Sequence, residues 1–251
     1  MANVSAAPSI RLYVAADLGA GASVTLDTKQ VHYLKNVMRL APGDSLLLFN
    51  GRDGEWRARV EAFGRSDGTL TAETLQRPQV SEPDLWLVFT PIKKTRMEVL
   101  IEKAGELGAA RLIPVLTERA SVRDVNASRA EALVVEAAEQ CGRMTVPAID
   151  PVTPLARLIE TWPADRRLLF CDESGLAPPI AEVMTQAPRG PWAALIGPEG
   201  GFSPAERELV AVQPFAVPVG LGPRLLRADT AAIAALSLLQ AHLGDWHQSP
   251  V

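Results

Sequence analysis

From Leu85 onward the chain alternates short apolar runs with segments of helical periodicity, and this alternation narrows the fold more than any other feature. Residues 85–92 (LWLVFTPI), 111–116 (RLIPVL), 167–172 (RLLFCD), 192–197 (WAALIG) and 215–222 (FAVPVGLG) read as buried strands. Between them, Met97, Leu100, Ile101, Ala104 and Leu107 fall on one helical face that Gly108 closes. Residues 127–140, 203–211 and 228–243 are further helices. Alternation of strand and helix predicts an α/β fold with a mostly parallel sheet.

The first third has a different pattern. Residues 45–50 (SLLLFN), the turn 51–54 (GRDG), the period-two run 55–60 (EWRARV), the turn 64–68 (GRSDG) and residues 69–75 predict short strands in a small barrel. Residues 28–39 read as a helix with Val31, Leu34, Val37 and Met38 on one side, stopped by Pro42-Gly43-Asp44. Two prolines in residues 76–83 (QRPQVSEP) mark a boundary. The expected organisation is a barrel domain over 1–77, a linker over 78–84 and an α/β domain over 85–251.

Composition removes several function classes. The 251 residues can bury one large core or two modest ones, and 47% apolar with 22% charged residues is ordinary for a soluble protein. The longest apolar-rich stretch, 231–243, is broken by Ser237, Gln240 and His242 and is too short to cross a bilayer. The N-terminus lacks the basic-then-apolar order of a signal peptide, so a cytoplasmic location is expected. Cys141 and Cys171 alone make neither a disulfide framework nor a thiolate cluster, and His32, His242 and His247 lack metal-ligand spacing. No metal is expected. The net charge of −4 argues against non-specific nucleic-acid binding. However, residues 1–80 carry nine basic against eight acidic groups and residues 171–251 four against eight, so any basic face belongs to the N-terminal third.

Two glycine-rich turns carry the chemistry. In LIGPEGGFSPAERELV (195–210) an apolar strand runs into Gly197-Pro198-Glu199-Gly200-Gly201, followed by Ser203 as N-cap, Pro204 at the first helical position and Glu206 completing a capping box. Glycines between a strand end and a helix start let a ligand approach the backbone, although a ligand-free turn would read the same way. The spacing is that of neither a dinucleotide nor a triphosphate cradle. In VGLGPRLLRADTAAIAAL (219–236) a second strand reaches Gly220-Leu221-Gly222-Pro223, then Arg224, Arg227 and an alanine-rich helix. Two arginines beside a glycine turn suit an anion or a developing negative charge. Equally, Arg224 can be a solvated surface group and Arg227 a partner of Asp229 or Glu199.

Taken together, IGPEGGFS and LGPRLLRADTA resemble the C-terminal half of the SPOUT-class methyltransferases, and more narrowly the small-subunit ribosomal RNA methyltransferase E family. RMEVLIEKAGELGAARLIPVLTERA (96–120), EAAEQCGRMTVPAI (136–149) and HYLKNVMRLAPGD (32–44) extend the resemblance from about Arg11 to Leu243. It implies a PUA-like RNA-binding barrel joined to an α/β domain with a deep trefoil knot. It also implies S-adenosylmethionine as cofactor, methylation of uracil N3 in 16S ribosomal RNA of the small subunit, and a homodimer. Two departures stand out. Where Arg-Thr-Glu-Thr-Ala is usual the chain has Arg227-Ala228-Asp229-Thr230-Ala231, and Cys141 replaces a usual serine.

On that resemblance, the glycine loops would bind the adenosine through backbone groups at Gly197, Gly200 and Gly222. Ile196, Leu221, Leu225 and Leu226 would enclose the adenine, with ordinary packing the alternative for each leucine. The loop at Cys171 would be the first of three knot loops, its thiol packing rather than reacting. Uracil N3 must lose a proton, and a guanidinium facing the ring oxygens would favour the anion, with Arg227 the first candidate and Arg224 the second. Glu199 would take the proton or, more simply, pair with an arginine. Arg11, Lys35, Arg39, Lys93 and Lys94 would hold RNA phosphates, with Arg52, Arg57, Arg59 and Arg96 as further candidates. His32 and Tyr33 would stack on a base or pack under the barrel. Ala231, Ala232, Ala234 and Ala235 offer a small-residue surface for a partner helix. Competing readings are a ribose 2′-O methyltransferase of the same class and a non-catalytic RNA-binding assembly factor, with a nicotinamide oxidoreductase more distant.

Overall fold

A computed structural model describes residues 10–248, so the expected domains' outermost residues, 1–9 and 249–251, lie outside the description. The chain divides into two units, Met1–Ser81 with Ala138–Val146, and Glu82–Ala137 with Pro147–Val251. A boundary drawn along the sequence did not anticipate that residues 138–146 join the first unit.

In the first unit, β1 (Arg11–Tyr13), β2 (Ser23–Leu26), helix α1 (Thr28–Val31), a π-helical segment (His32–Val37), β3 (Ser45–Phe49), β4 (Glu55–Phe63) and β5 (Gly68–Arg77) follow in order. The five strands form one sheet, β1-β3-β4-β5-β2, with β1 parallel to β3 and the other pairs antiparallel. Leu46, Leu48, Ala58, Val60, Leu70 and Ala72 make its inner face. The helix expected over 28–39 differs in kind. Asp27 and Gln30 form a capping box at its start, but after one α-helical turn the backbone widens to the π form. An i→i+5 ladder rotates later residues off the 3.6-residue face, so Leu34 is buried while Val37 is 56% exposed. Arg39 then adopts a left-handed backbone, φ 58°.

This unit is tied together by a buried ion triad. Glu55, whose side chain is 4% exposed, accepts from Arg11 Nε at 2.6 Å and from both Nε and Nη2 of Arg77, at 2.8 and 2.9 Å. The remaining guanidinium donors reach the 138–146 segment, from Arg11 to the carbonyls of Ala138, Glu139 and Arg143 and from Arg77 to that of Gly142. The expectation that Arg11 meets RNA phosphate is therefore corrected, because its donors are spent inside the unit.

The second unit contains β6 (Leu85–Phe89), α2 (Lys94–Glu106), β7 (Arg111–Leu116), most of α3 (Ala127–Cys141), β8 (Ala148–Ile149), β9 (Thr153–Pro154), α4 (Leu155–Glu160), β10 (Arg167–Cys171), α5 (Ile180–Thr185), β11 (Trp192–Ile196), α6 (Pro204–Ala211), β12 (Ala216–Val219) and α7 (Ala228–Leu243). The strands run in the order β12-β10-β11-β6-β7-β8, with β9 beside β7, and every pairing is parallel. All five residues of β11 are buried, as a central parallel strand requires. Helix α7 packs on α2, β11 and β6. Ala231, Ala232 and Ala235 are buried in that contact, so the small-residue face expected to receive a partner helix is mostly covered by the chain's own elements.

Burial pushes the Glu55 carboxyl up, but hydrogen bonds and charge from Arg77 and Arg11 outweigh it and hold the group below the usual carboxylate range. The triad's contribution is therefore present above the unfolded pKa and lost as pH falls through the lower folded value. Glu55→Ala strands two guanidiniums and should cost about 3 kcal/mol in urea unfolding at neutral pH. The gap between wild type and variant should narrow as the pH drops below the ordinary glutamate range.

Candidate functional site

Parallel order puts the C-terminal ends of β12, β10 and β11 side by side, so the loops that follow them meet at one edge of the sheet. Such an edge is where open α/β sheets hold ligands. The loops are joined by hydrogen bonds. The Asp172 amide donates to the Val219 carbonyl at 2.9 Å. Gly220 donates to the Pro178 carbonyl at 2.8 Å and accepts from the Ile180 amide at 3.0 Å.

The loop after β11 is fixed on both flanks. The Gly201 amide donates to the Pro198 carbonyl at 2.9 Å, closing a turn in which Gly201 has φ +69°. Phe202 is fully buried against Phe170, ring centroids 5.1 Å apart, and a Cβ on Gly197 would lie 2.7 Å from its ring. Helix α6 begins with the expected capping box, Ser203 Oγ accepting from the Glu206 amide and Glu206 accepting from the Ser203 amide. The other Glu206 oxygen accepts from the Glu118 amide at 2.7 Å, and Arg119 donates to the Gly200 carbonyl at 3.1 Å. From the opposite side, Glu173 accepts from the Phe202 amide at 3.1 Å and pairs with Arg207. Arg207 also approaches Asp172 at 3.4 Å.

After β12, Gly222 has φ +102° with nothing within 4 Å of where its Cβ would be, and Gly200 likewise faces nothing closer than Arg119 at 3.4 Å. Gly222 leaves backbone open to a ligand, whereas Arg119 covers the corresponding side of Gly200. Arg224 and Arg227 are exposed, and Arg227 occupies the N-cap position of α7 without a capping side chain. The pairing of Arg227 with Asp229 does not occur. Asp229 is held instead by Arg96 of α2, at 2.9 and 3.2 Å from Nη1. Glu199 is exposed and has no arginine partner among the described residues. Of the three carboxylates on these loops, Asp172 and Glu173 are engaged by Arg207, which leaves Glu199 as the one without an arginine partner among the described residues.

The residues expected to line a cofactor divide into three kinds. Ile196 and Cys171 are buried at the ends of β11 and β10, so only their backbone is at the loop edge. Burial pushes the Cys171 thiol up to about 12, which makes it inert. Leu221 and Leu226 are half-buried, while Leu225 is 82% exposed and encloses nothing within the described chain.

Among the basic candidates, Lys35 and Arg39 are exposed in the first unit and Lys93 and Lys94 in the second. Arg52 pairs with Asp17, and Arg59 with Glu61 and Glu73, while Arg57 reaches Ser45 Oγ. Tyr33 packs on the barrel core, whereas His32 is exposed. Sequence reasoning passed over Glu173, Arg207 and Arg119, and it read Arg96 as a phosphate contact rather than as the partner of Asp229. Only the capping residue Glu206 left a signal in the sequence for its role, because the others act across long separations.

This arrangement defines the class. A family model described as an RNA methyltransferase domain matches residues 80–240, and one described as an RNA methyltransferase PUA domain matches residues 26–71. The chain is 30% identical to the ribosomal RNA small subunit methyltransferase E of Rickettsia conorii, over 92% of this chain and 96% of that protein. It therefore belongs to the ribosomal RNA small subunit methyltransferase E family. A structure of the Neisseria gonorrhoeae member bound to S-adenosylmethionine superimposes with a TM-score of 0.85 at 27% identity, covering 94% of this chain and 99% of that one. A Legionella pneumophila protein in complex with the same molecule gives 0.82 at 31% identity, over 94% and 98%.

A thiol-alkylating reagent at mildly alkaline pH should modify the folded protein once, at exposed Cys141, leaving Cys171 to react only after denaturation. Peptide mass mapping checks this, and modification of Cys171 in the folded protein would show that the end of β10 is open.

Proposed function

We infer that the chain is an S-adenosylmethionine-dependent methyltransferase of small-subunit ribosomal RNA that methylates uracil N3, acting in the cytoplasm as a homodimer. The observation that carries this reading is the charge pattern at the joined loops, with Arg224, Arg227 and Glu199 all unpaired beside open glycine backbone. The family and the two relatives bound to S-adenosylmethionine supply the cofactor and substrate class.

The residues fit that cofactor. Open backbone at Gly222 admits a ligand where a Cβ would intrude, half-buried Leu221 and Leu226 offer apolar surface to an adenine, and Glu199 supplies negative charge for a cationic ligand. S-adenosylmethionine, when bound, supplies a methyl group on a positively charged sulfur. The protein's task is then to align the acceptor and favour its deprotonated form. Uracil N3 bears a proton at neutral pH, and its loss spreads charge onto the ring oxygens. Arg227 meets that charge, with Arg224 beside it, and Glu199 takes the proton. Arg96 matters here because it removes Asp229 as a competitor for the Arg227 guanidinium.

Lys35 and Arg39 in the barrel unit and Lys93 and Lys94 in the α/β unit hold phosphate in this reading. Leu176, 91% exposed, and Leu225 lie on two of the joined loops, and large exposed apolar groups at one edge favour a covering partner subunit. A threaded C-terminus accords with α7, which follows edge strand β12 yet packs over interior strands β11 and β6.

Arg227→Ala should lower single-turnover methylation by about 10²–10³ while leaving S-adenosylmethionine affinity within a few fold. Lysine should restore part of the rate, and raising the pH should partly rescue the alanine variant because the uracil then ionises unaided. Loss of cofactor affinity instead would move Arg227 to the cofactor site. Replacing Lys35 and Arg39 by alanine should weaken RNA binding and reduce its salt slope by up to about two, with cofactor binding unchanged. An unchanged slope would place RNA elsewhere.

A further inference from the structure

The glycine turn after β11 owes its shape to a side chain from a different loop. The Glu173 carboxylate sits where a Gly201 side chain would be, so that a Cβ there would collide with Oε1. The same oxygen accepts the Phe202 amide at 3.1 Å and meets the Arg207 guanidinium. Arg207 projects from the second turn of α6, and Asp172 approaches its Nε. Asp172 is itself held by the Ser174 amide and hydroxyl, at 3.0 and 2.6 Å. One carboxylate thus joins the loop after β10, the turn 197–202 and the start of α6. The Glu173 side chain is 26% exposed and that of Arg207 32%, so neither is sealed in the core.

We propose that Glu173, braced by Arg207, is a positioning residue that sets the affinity of the 197–201 turn for S-adenosylmethionine without touching the reacting atoms. The proposal rests on the cofactor assignment above. Without the Glu173 carboxylate, the Phe202 amide loses its acceptor and the turn loses the contact that orders it against the β10 loop. The ordering cost then falls on ligand binding, which weakens affinity more than the rate at saturation. Gly201 provides an independent handle. A methyl group there must displace Glu173 from the Phe202 amide, so Gly201→Ala should reproduce the loss through the same contact, with a further penalty from φ +69°.

The experiment is calorimetric titration of the full chain with S-adenosylmethionine, paired with kcat and KM for that substrate. Variants are Glu173→Ala, Glu173→Gln, Gly201→Ala and the Glu173→Ala/Gly201→Ala double. Glu173→Ala should raise Kd and KM about ten-fold or more, the loss typical of a charged hydrogen bond, with kcat within about three-fold. Glutamine keeps an acceptor for the Phe202 amide and should recover part of the affinity. The double variant should bind more tightly than the product of the two single losses predicts, since both remove one contact. Wild-type affinity in Glu173→Ala, additive losses in the double, or a fall in kcat at unchanged KM would each overturn the proposal. Wild-type protein that fails to bind would overturn the cofactor assignment and the proposal with it. If Glu173→Ala does not fold, the glutamine and Gly201 variants carry the same test, and wild-type affinity in Gly201→Ala refutes it.

Discussion

The parallel pairing of β10 with both β11 and β12 is the constraint on which the site depends. Adjacent parallel strands must end at the same edge, so three loops far apart in sequence meet without any one of them being long. Backbone bonds between the first and third loops, and Glu173 between the first and second, make the edge one connected surface. A substitution that moves one loop is therefore felt by the others. Gly197 and Gly201 are needed for the same reason, since a Cβ at either would collide with Phe202 or Glu173.

Electrostatics decides which groups on that surface are available for chemistry. Asp172 and Glu173 are consumed by Arg207, Glu206 by backbone amides, and Asp229 by Arg96. The Asp229 pairing gives meaning to a local departure in sequence. With a carboxylate one methylene shorter than the glutamate usual in the family, the residue still reaches Arg96 on α2, and Arg227 is left free. The same accounting in the barrel unit withdraws Arg11, Arg52 and Arg59 from the basic surface and leaves Lys35 and Arg39. Net charge alone could not make that distinction.

Much of the α/β unit was legible because its signals are local. Apolar runs placed β6, β7, β10, β11 and β12, and Ser203, Pro204 and Glu206 marked the start of α6 in advance. The short elements β8, β9, α4 and α5 were not anticipated, being too brief to show a period. The widened helix at His32–Val37 was missed because side-chain spacing cannot report a change in the hydrogen-bond ladder. The fates of Arg11 and of the α7 alanines were hidden for another reason. Both are set by tertiary partners, Glu55 with three carbonyls in one case and neighbouring elements of the same unit in the other. The glycine loops announced a ligand edge, but the resemblance, and not the spacing, named the ligand.

In the proposed function the joined loops direct methyl transfer to a ring nitrogen of ribosomal uracil. The most direct measurement incubates the purified protein with isotopically labelled S-adenosylmethionine and small ribosomal subunits lacking the modification, then digests the RNA to nucleosides for mass spectrometry. The account predicts label in 3-methyluridine alone, at a single position in the 16S RNA. Label on a ribose 2′-oxygen, or none in RNA despite cofactor binding, would contradict it.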